Sequence, residues 1–97
     1  MDFLKELDVS SKTVETIERI YNPDIIRNID LYKDNVKENI VYLKGLGVNT
    51  IDEILTFDLT VLFQPISSTK DMIDTIGTDE VVSKLNEDPE FIQYLLK

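Results

Sequence analysis

The sequence predicts an all-α fold, with short helices in about three helix-break-helix repeats that form a small superhelical array of either hand or a compact bundle. Three observations predict it. Apolar residues recur at i, i+3, i+4 and i+7 along most of the chain. No stretch sustains the two-residue alternation of a strand, and no Asn-Gly or Asp-Gly hairpin dipeptide occurs. Almost every glycine and proline stands between periodic segments, where it stops or starts a helix. The 97 residues are expected to form one domain, 1–97, near the lower end of what a single apolar core holds together.

Taken in order, residues 12–21 carry Val14, Ile17, Ile20 and Tyr21 at helical spacing. Asn22-Pro23 follows as an N-cap with proline at the first helical position, where a missing amide costs nothing. The clearest helix is 33–44, with Val36, Ile40 and Leu43 on one face and Asp34, Lys37 and Glu38 on others. Gly45 and Gly47 sit where it is expected to end in a left-handed turn. Thr50 with Glu53 has the form of a capping box opening a helix through Ile51, Ile54 and Leu55. Ser67 or Ser68 is expected to open a helix carrying Met72, Ile73 and Ile76, which Gly77 ends. Thr78, with Asp79 and Glu80 in the first turn, offers a cap and acids that suit the helix dipole. Asp88-Pro89 is a second cap-proline pair.

The punctuation repeats. Segments beginning at Thr13, Thr50 and Thr78 each read as an amphipathic helix, a polar break and a second short helix. The breaks fall at Pro23, Leu59 and Pro89, at intervals of roughly 30 to 36 residues. Three residues beyond each lies a large aliphatic: Ile26, Leu62 and Ile92. Units of about 9–44, 45–76 and 77–97 are implied, stacked in an arc so that neighbours bury each other's apolar faces.

The stretch from Tyr42 to Phe63 resembles a repeat of the mitochondrial transcription termination factor family, through Leu46-Gly47-Val48, Ile51, Ile54-Leu55 and Val61-Leu62. Leu59 stands where that family most often has proline. The third unit offers Ile76-Gly77, Val81-Val82, Leu85, Pro89 and Phe91-Ile92, and the first offers Pro23 and Ile25-Ile26 without a leucine-glycine. The resemblance implies a curved helical array, which in the family holds nucleic acid on a basic concave face. These matching residues are structural, and no nucleic-acid contact maps onto this chain. More locally, residues 43–51 resemble a helix-hairpin-helix turn. That resemblance implies a phosphate-contact turn of Lys44, Gly45, Gly47, Asn49 and Thr50, although Ile51 stands where the motif usually has a small residue.

Charge argues against nucleic acid. The net charge is −9, of which residues 1–44 hold −2 and residues 45–97 hold −7, whereas phosphate backbones are bound by basic stripes. An acidic chain can instead act as a mimic of DNA, with carboxylates at phosphate-like spacing. The absence of cysteine and histidine removes disulfides, thiolate ligands and the usual general base. The acid pairs Asp52-Glu53, Asp79-Glu80 and Glu87-Asp88 are neighbours in sequence, so they do not face one another on a helix and read as helix-start residues. Asn86, Glu87, Asp88 and Glu90 lack the spacing and glycine of a calcium loop.

Of the aromatics Phe3, Tyr21, Tyr32, Tyr42, Phe57, Phe63, Phe91 and Tyr94, most fall on apolar faces and are expected in the core. Tyr21 beside Arg19 and Arg27, and Tyr32 beside Lys33, are the groupings with a cation that a base-stacking surface needs. No apolar run approaches a bilayer span, and the start MDFLKEL lacks a signal-peptide core, so a cytoplasmic location is the default. The expectation is a non-enzymatic module without cofactor or metal that binds a protein or peptide. A basic partner is the natural complement of residues 45–97.

Overall fold

The helical periods resolve, in a computed structural model that describes residues 1–96, into seven α-helices and two 3-10 helices, with no strand among the described residues. They are α1 (Asp2–Glu6), α2 (Ser11–Ile20), α3 (Pro23–Leu31), α4 (Lys33–Leu46), α5 (Ile51–Asp58), the 3-10 helix η1 (Leu59–Phe63), α6 (Ile66–Ile76), α7 (Thr78–Glu87) and the 3-10 helix η2 (Pro89–Leu95). Each expected break is the first residue of the second helix in its segment: Pro23 opens α3, Leu59 opens η1 and Pro89 opens η2. The residue before each break caps it with a side-chain oxygen. Asn22 Oδ1 accepts from the Ile25 amide at 3.0 Å, Asp58 Oδ1 from Thr60 at 3.1 Å, and Asp88 Oδ1 from Glu90 at 3.0 Å.

The chain therefore runs α2-α3-α4, then α5-η1-α6, then α7-η2. α2 packs on α5 and α4 packs on α6, so like elements of the first two segments lie side by side. α7 and η2 close over α5 and α6. One apolar cluster runs through all three, from Ile17 and Ile29 through Ile40, Ile54 and Leu62 to Leu85 and Ile92. The radius of gyration is 12.4 Å, against about 12.5 Å for a globule of this length. The stack is thus closed into a globule measuring 34 × 23 × 21 Å, and the arc expected from repetition is not formed.

Polar side chains join the segments where backbone groups lack helical partners. The last carbonyls of a short 3-10 helix have no acceptor role within it. At the end of η1 they are met by α4: Asn39 Nδ2 donates to the Leu62 and Gln64 carbonyls at 3.0 and 2.9 Å, and Asn35 Nδ2 to Phe63 at 2.9 Å. Gln64 Nε2 donates onward to the Leu95 carbonyl at 2.9 Å, tying η1 to η2. Tyr21 works at the other end of η1. Its hydroxyl donates to the Leu55 carbonyl at 2.6 Å and accepts from the Leu59 amide at 3.1 Å, which bridges the α5–η1 junction from α2.

Several local expectations are corrected. The helix expected over 33–44 continues through Gly45, which is helical, to Leu46; Gly47 alone stops it, with φ 106° and ψ 11°. Gly77 has φ 114° and ψ 124°, which is no left-handed helical turn, and it serves as the end of α6 and the start of α7 together. Thr78 accordingly lies inside α7, and Ser67 and Ser68 lie inside the first turn of α6, which Pro65 precedes. Thr50 stands before α5, but its hydroxyl makes no cap and donates to the Leu85 carbonyl at 2.8 Å. Phe57 and Tyr94 are exposed and not core. α1, which no pattern announced, buries Leu4 against the cluster.

Candidate functional site

The turn Lys44–Thr50 connects α4 to α5, and Gly47 bends it. A phosphate-binding turn offers free amides and a free cation. Here the groups are directed inward. The Asn49 amide donates to Asn86 Oδ1 at 2.8 Å, and Asn86 Nδ2 donates back to the Gly47 carbonyl at 3.1 Å. With Thr50 on Leu85, these bonds hang the C-terminal turn of α7 on the turn before α5. Lys44 Nζ donates to the Leu7 carbonyl at 2.7 Å and pairs with Asp8 at 3.6 Å. Gly45 does not belong to the bend. Gly47, Asn49 and Thr50 form a seam with α7, Lys44 is tied to the end of α1, and Gly45 joins neither.

The acid pairs separate in the same way. Asp52 Oδ2 accepts from the Ser10 amide at 3.2 Å and from Thr13 Oγ1 at 2.8 Å, so it braces the start of α2 from α5, while Glu53 is exposed. Asp88 caps η2 and Asn86 is held in the seam, so Asn86, Glu87, Asp88 and Glu90 do not converge. Among the described residues no three metal-ligating side chains are grouped to hold an ion. Tyr21 is the one described group whose pKa is resolved as displaced: burial raises it above 10.0, the Asp58 charge raises it further, and the hydrogen bond from Leu59 opposes both. Both lone-pair and proton positions of that hydroxyl face backbone, so neither is placed for chemistry.

Charge distinguishes the surfaces. The ion pairs Met1–Asp30, Arg27–Asp24 and Lys44–Asp8 all join residues of the first half. In the second half Glu53, Asp74, Asp79, Glu80 and Glu87 are exposed and have no cationic partner among the described residues. The described cations of that half are Lys70 and Lys84, and Lys70 Nζ lies over the Tyr42 ring, 5.2 Å from its centroid.

Two shallow grooves mark the surface. One of about 520 Å³ runs between α4 and α6, floored by Val41, Tyr42 and Ile66. The other, of about 550 Å³, lies among α1, α2 and α3, between Lys5, Glu18, Arg27 and the apolar Val14, Tyr21 and Ile26. Tyr21 is drawn into the packing by its hydroxyl, away from a stacking role with Arg19 and Arg27. Tyr32 stacks on Phe63, with ring centroids 5.5 Å apart. Among the described residues no helix is long and apolar enough to cross a membrane.

This fold and these surfaces define an all-α domain with an internally braced turn and exposed carboxylates on α5, α6 and α7. No family model, no curated protein and no solved structure matches the chain.

Proposed function

We propose that the chain is a non-enzymatic module that binds a basic segment of a protein through the carboxylates of α5, α6 and α7. The observation that carries this reading is the open set Glu53, Asp74, Asp79, Glu80 and Glu87, exposed and without cationic partners among the described residues. Unpaired surface carboxylates of one sign repel each other and raise the local potential, and a basic partner relieves both. A chain under no such demand gains a little from interspersed cations, as its own first half does.

Support for the non-enzymatic part comes from the fate of the polar groups. The Tyr21 hydroxyl and the Nδ2 of the buried Asn39 both spend their hydrogen bonds on backbone of the fold, while Asn39 Oδ1 is buried without a partner among the described residues. A nucleic-acid reading through Lys44–Thr50 draws no support, because an incoming phosphate has to displace Asn86 and Asp8 from the same donors. The resemblance to transcription termination factor repeats rests on the leucine, glycine and break positions of the sequence alone.

The test is a titration of a fluorescent Lys/Arg-rich peptide into the protein at low ionic strength. Binding that weakens as salt is added is expected. No binding at low salt, to this peptide or to a basic protein such as a histone, rejects the reading. Preferential binding of duplex DNA over the peptide rejects it too.

A further inference from the structure

Among the described residues the buried polar side chains are Thr13, Asn39 and Thr69. Thr13 is fully matched, since its hydroxyl donates to Asp52 at 2.8 Å and accepts from Ser10 at 2.9 Å. The other two are not. Asn39 is completely enclosed, and its Nδ2 hydrogens go to the Leu62 and Gln64 carbonyls at 3.0 and 2.9 Å. Those two acceptors fix which way the amide points, because a turned amide sets its oxygen against both carbonyls. Asn39 Oδ1 is thereby left buried with no donor among the described residues. Thr69 has the converse surplus. Its Oγ1 accepts from Gln64 Nε2 at 3.1 Å, while its own hydrogen reaches no acceptor among the described residues.

The two groups belong to one joint. Asn39 bonds the carbonyl of Gln64 and Thr69 bonds its side chain. α4 packs against α6, and Glu38 and Lys70 line one groove between them. Asn39 and Thr69 are the next residues in sequence to these and are buried, so they lie inward of the same stretch of that groove. They do not bond each other. Buried polar groups are matched by protein or by ordered water, and an interior water needs at least two polar partners. An acceptor short of a donor, facing a donor short of an acceptor, supplies both. A metal cation is a poorer occupant, because it takes several oxygens with a carboxylate among them, and this pair offers two neutral oxygens.

We infer that the joint of α4, η1 and α6 is a binding site for one interior water, which donates to Asn39 Oδ1 and accepts from the Thr69 hydroxyl. The water links α4 to α6 beside the point where Asn39 ties α4 to η1 and Gln64 ties η1 to η2. It is thus part of the bracing between the first and second segments. The site is separate from the exposed carboxylates, so it stands or falls independently of the basic-partner reading.

The experiment is a crystal structure of the full chain, at a resolution that shows ordered water, for wild type, Thr69→Val and Thr69→Ser. Oxygen-17 magnetic relaxation dispersion on the same proteins counts long-lived waters in solution. Wild type is expected to hold a water within hydrogen-bond distance of both Asn39 Oδ1 and Thr69 Oγ1. Thr69→Val keeps the shape and removes the hydroxyl, so it is expected to lose that water and one long-lived water from the dispersion amplitude. Thr69→Ser returns the hydroxyl and is expected to regain both. A residue with a packing role alone does not give that pattern, since serine fills the space less well than valine. A wild-type structure in which Asn39 Oδ1 meets a protein donor, or no water, overturns the inference. A water that persists in Thr69→Val at unchanged dispersion amplitude overturns it as well. Circular dichroism reports whether each variant folds; where Thr69→Val does not, the wild-type density decides.

Discussion

The first segment and the two that follow share an order of helices and differ in what they bury and what they leave open. At the matching position three residues past the break, Ile26 is only half-buried, while Leu62 and Ile92 are fully enclosed. The first segment is covered by α1, and two ion pairs, Met1–Asp30 and Lys44–Asp8, tie it to the ends of that helix. The second and third segments enclose the centre of the core and present exposed carboxylates outward. Equivalent positions in a short stack are therefore not energetically equivalent: the first unit has solvent where the other two have neighbours. The same two segments thus hold both the most enclosed of these aliphatics and the open carboxylates.

The widest gap expected from this comparison is in the core. Leu62→Ala and Ile92→Ala should each cost about 2–5 kcal/mol, because the cavity they leave is walled on all sides. Ile26→Ala should cost less than either, and urea denaturation of the three variants measures the order. An equal loss at all three erases the distinction between the first segment and the other two.

Tyr21 is the point at which the segments depend on each other. Tyr21→Phe leaves the Leu59 amide without its acceptor and should cost about 1–3 kcal/mol. The hydroxyl's pKa is raised in the fold above the unfolded value of 10.0. Between those two values the folded state holds a proton that the unfolded state has released, so this contribution is whole below pH 10.0 and is lost as pH rises through the folded pKa. Denaturation of wild type followed above neutral pH should show that decline, and Tyr21→Phe should lack its share of it.

A smaller effect compares the three caps. Asn22→Ala, Asp58→Ala and Asp88→Ala should each cost about 0.5–2 kcal/mol in thermal unfolding. Asp58 is expected to cost most of the three, because its Oδ1 accepts from the Thr60 hydroxyl as well as the Thr60 amide. Smallest, and of opposite sign, Gly45→Ala should stabilise the fold by about 0.5–1 kcal/mol.

Helix order and the site of every break were legible because they rest on local signals: apolar spacing, and proline or an aliphatic at the head of each second helix. An Asn or Asp before each break, at positions 22, 58 and 88, was equally visible, and it marks the repeat more firmly than the threonines do. What stayed hidden depends on distance in sequence. Thr50 has the right chemistry for a cap, and only the arrival of Leu85 beside it diverts the hydroxyl. Gly45 and Gly47 are alike in composition, and backbone geometry alone says which one bends. The partners of the Lys44–Thr50 turn were hidden for the same reason, since Asn86 lies 37 residues from the amide it occupies. Charge survived the passage from sequence to structure because carboxylates, which are costly to bury, stay on the surface whatever the packing.

The central claim is that the carboxylates of α5, α6 and α7 form the binding surface, and the direct measurement is peptide affinity against salt for wild type and for the triple variant Asp79→Lys, Glu80→Lys and Glu87→Lys. A steep fall of wild-type affinity with salt is predicted, together with loss of binding in the variant and none in a Glu15→Lys, Glu18→Lys control on α2. Equal affinity for the triple variant and wild type at low salt would contradict the claim.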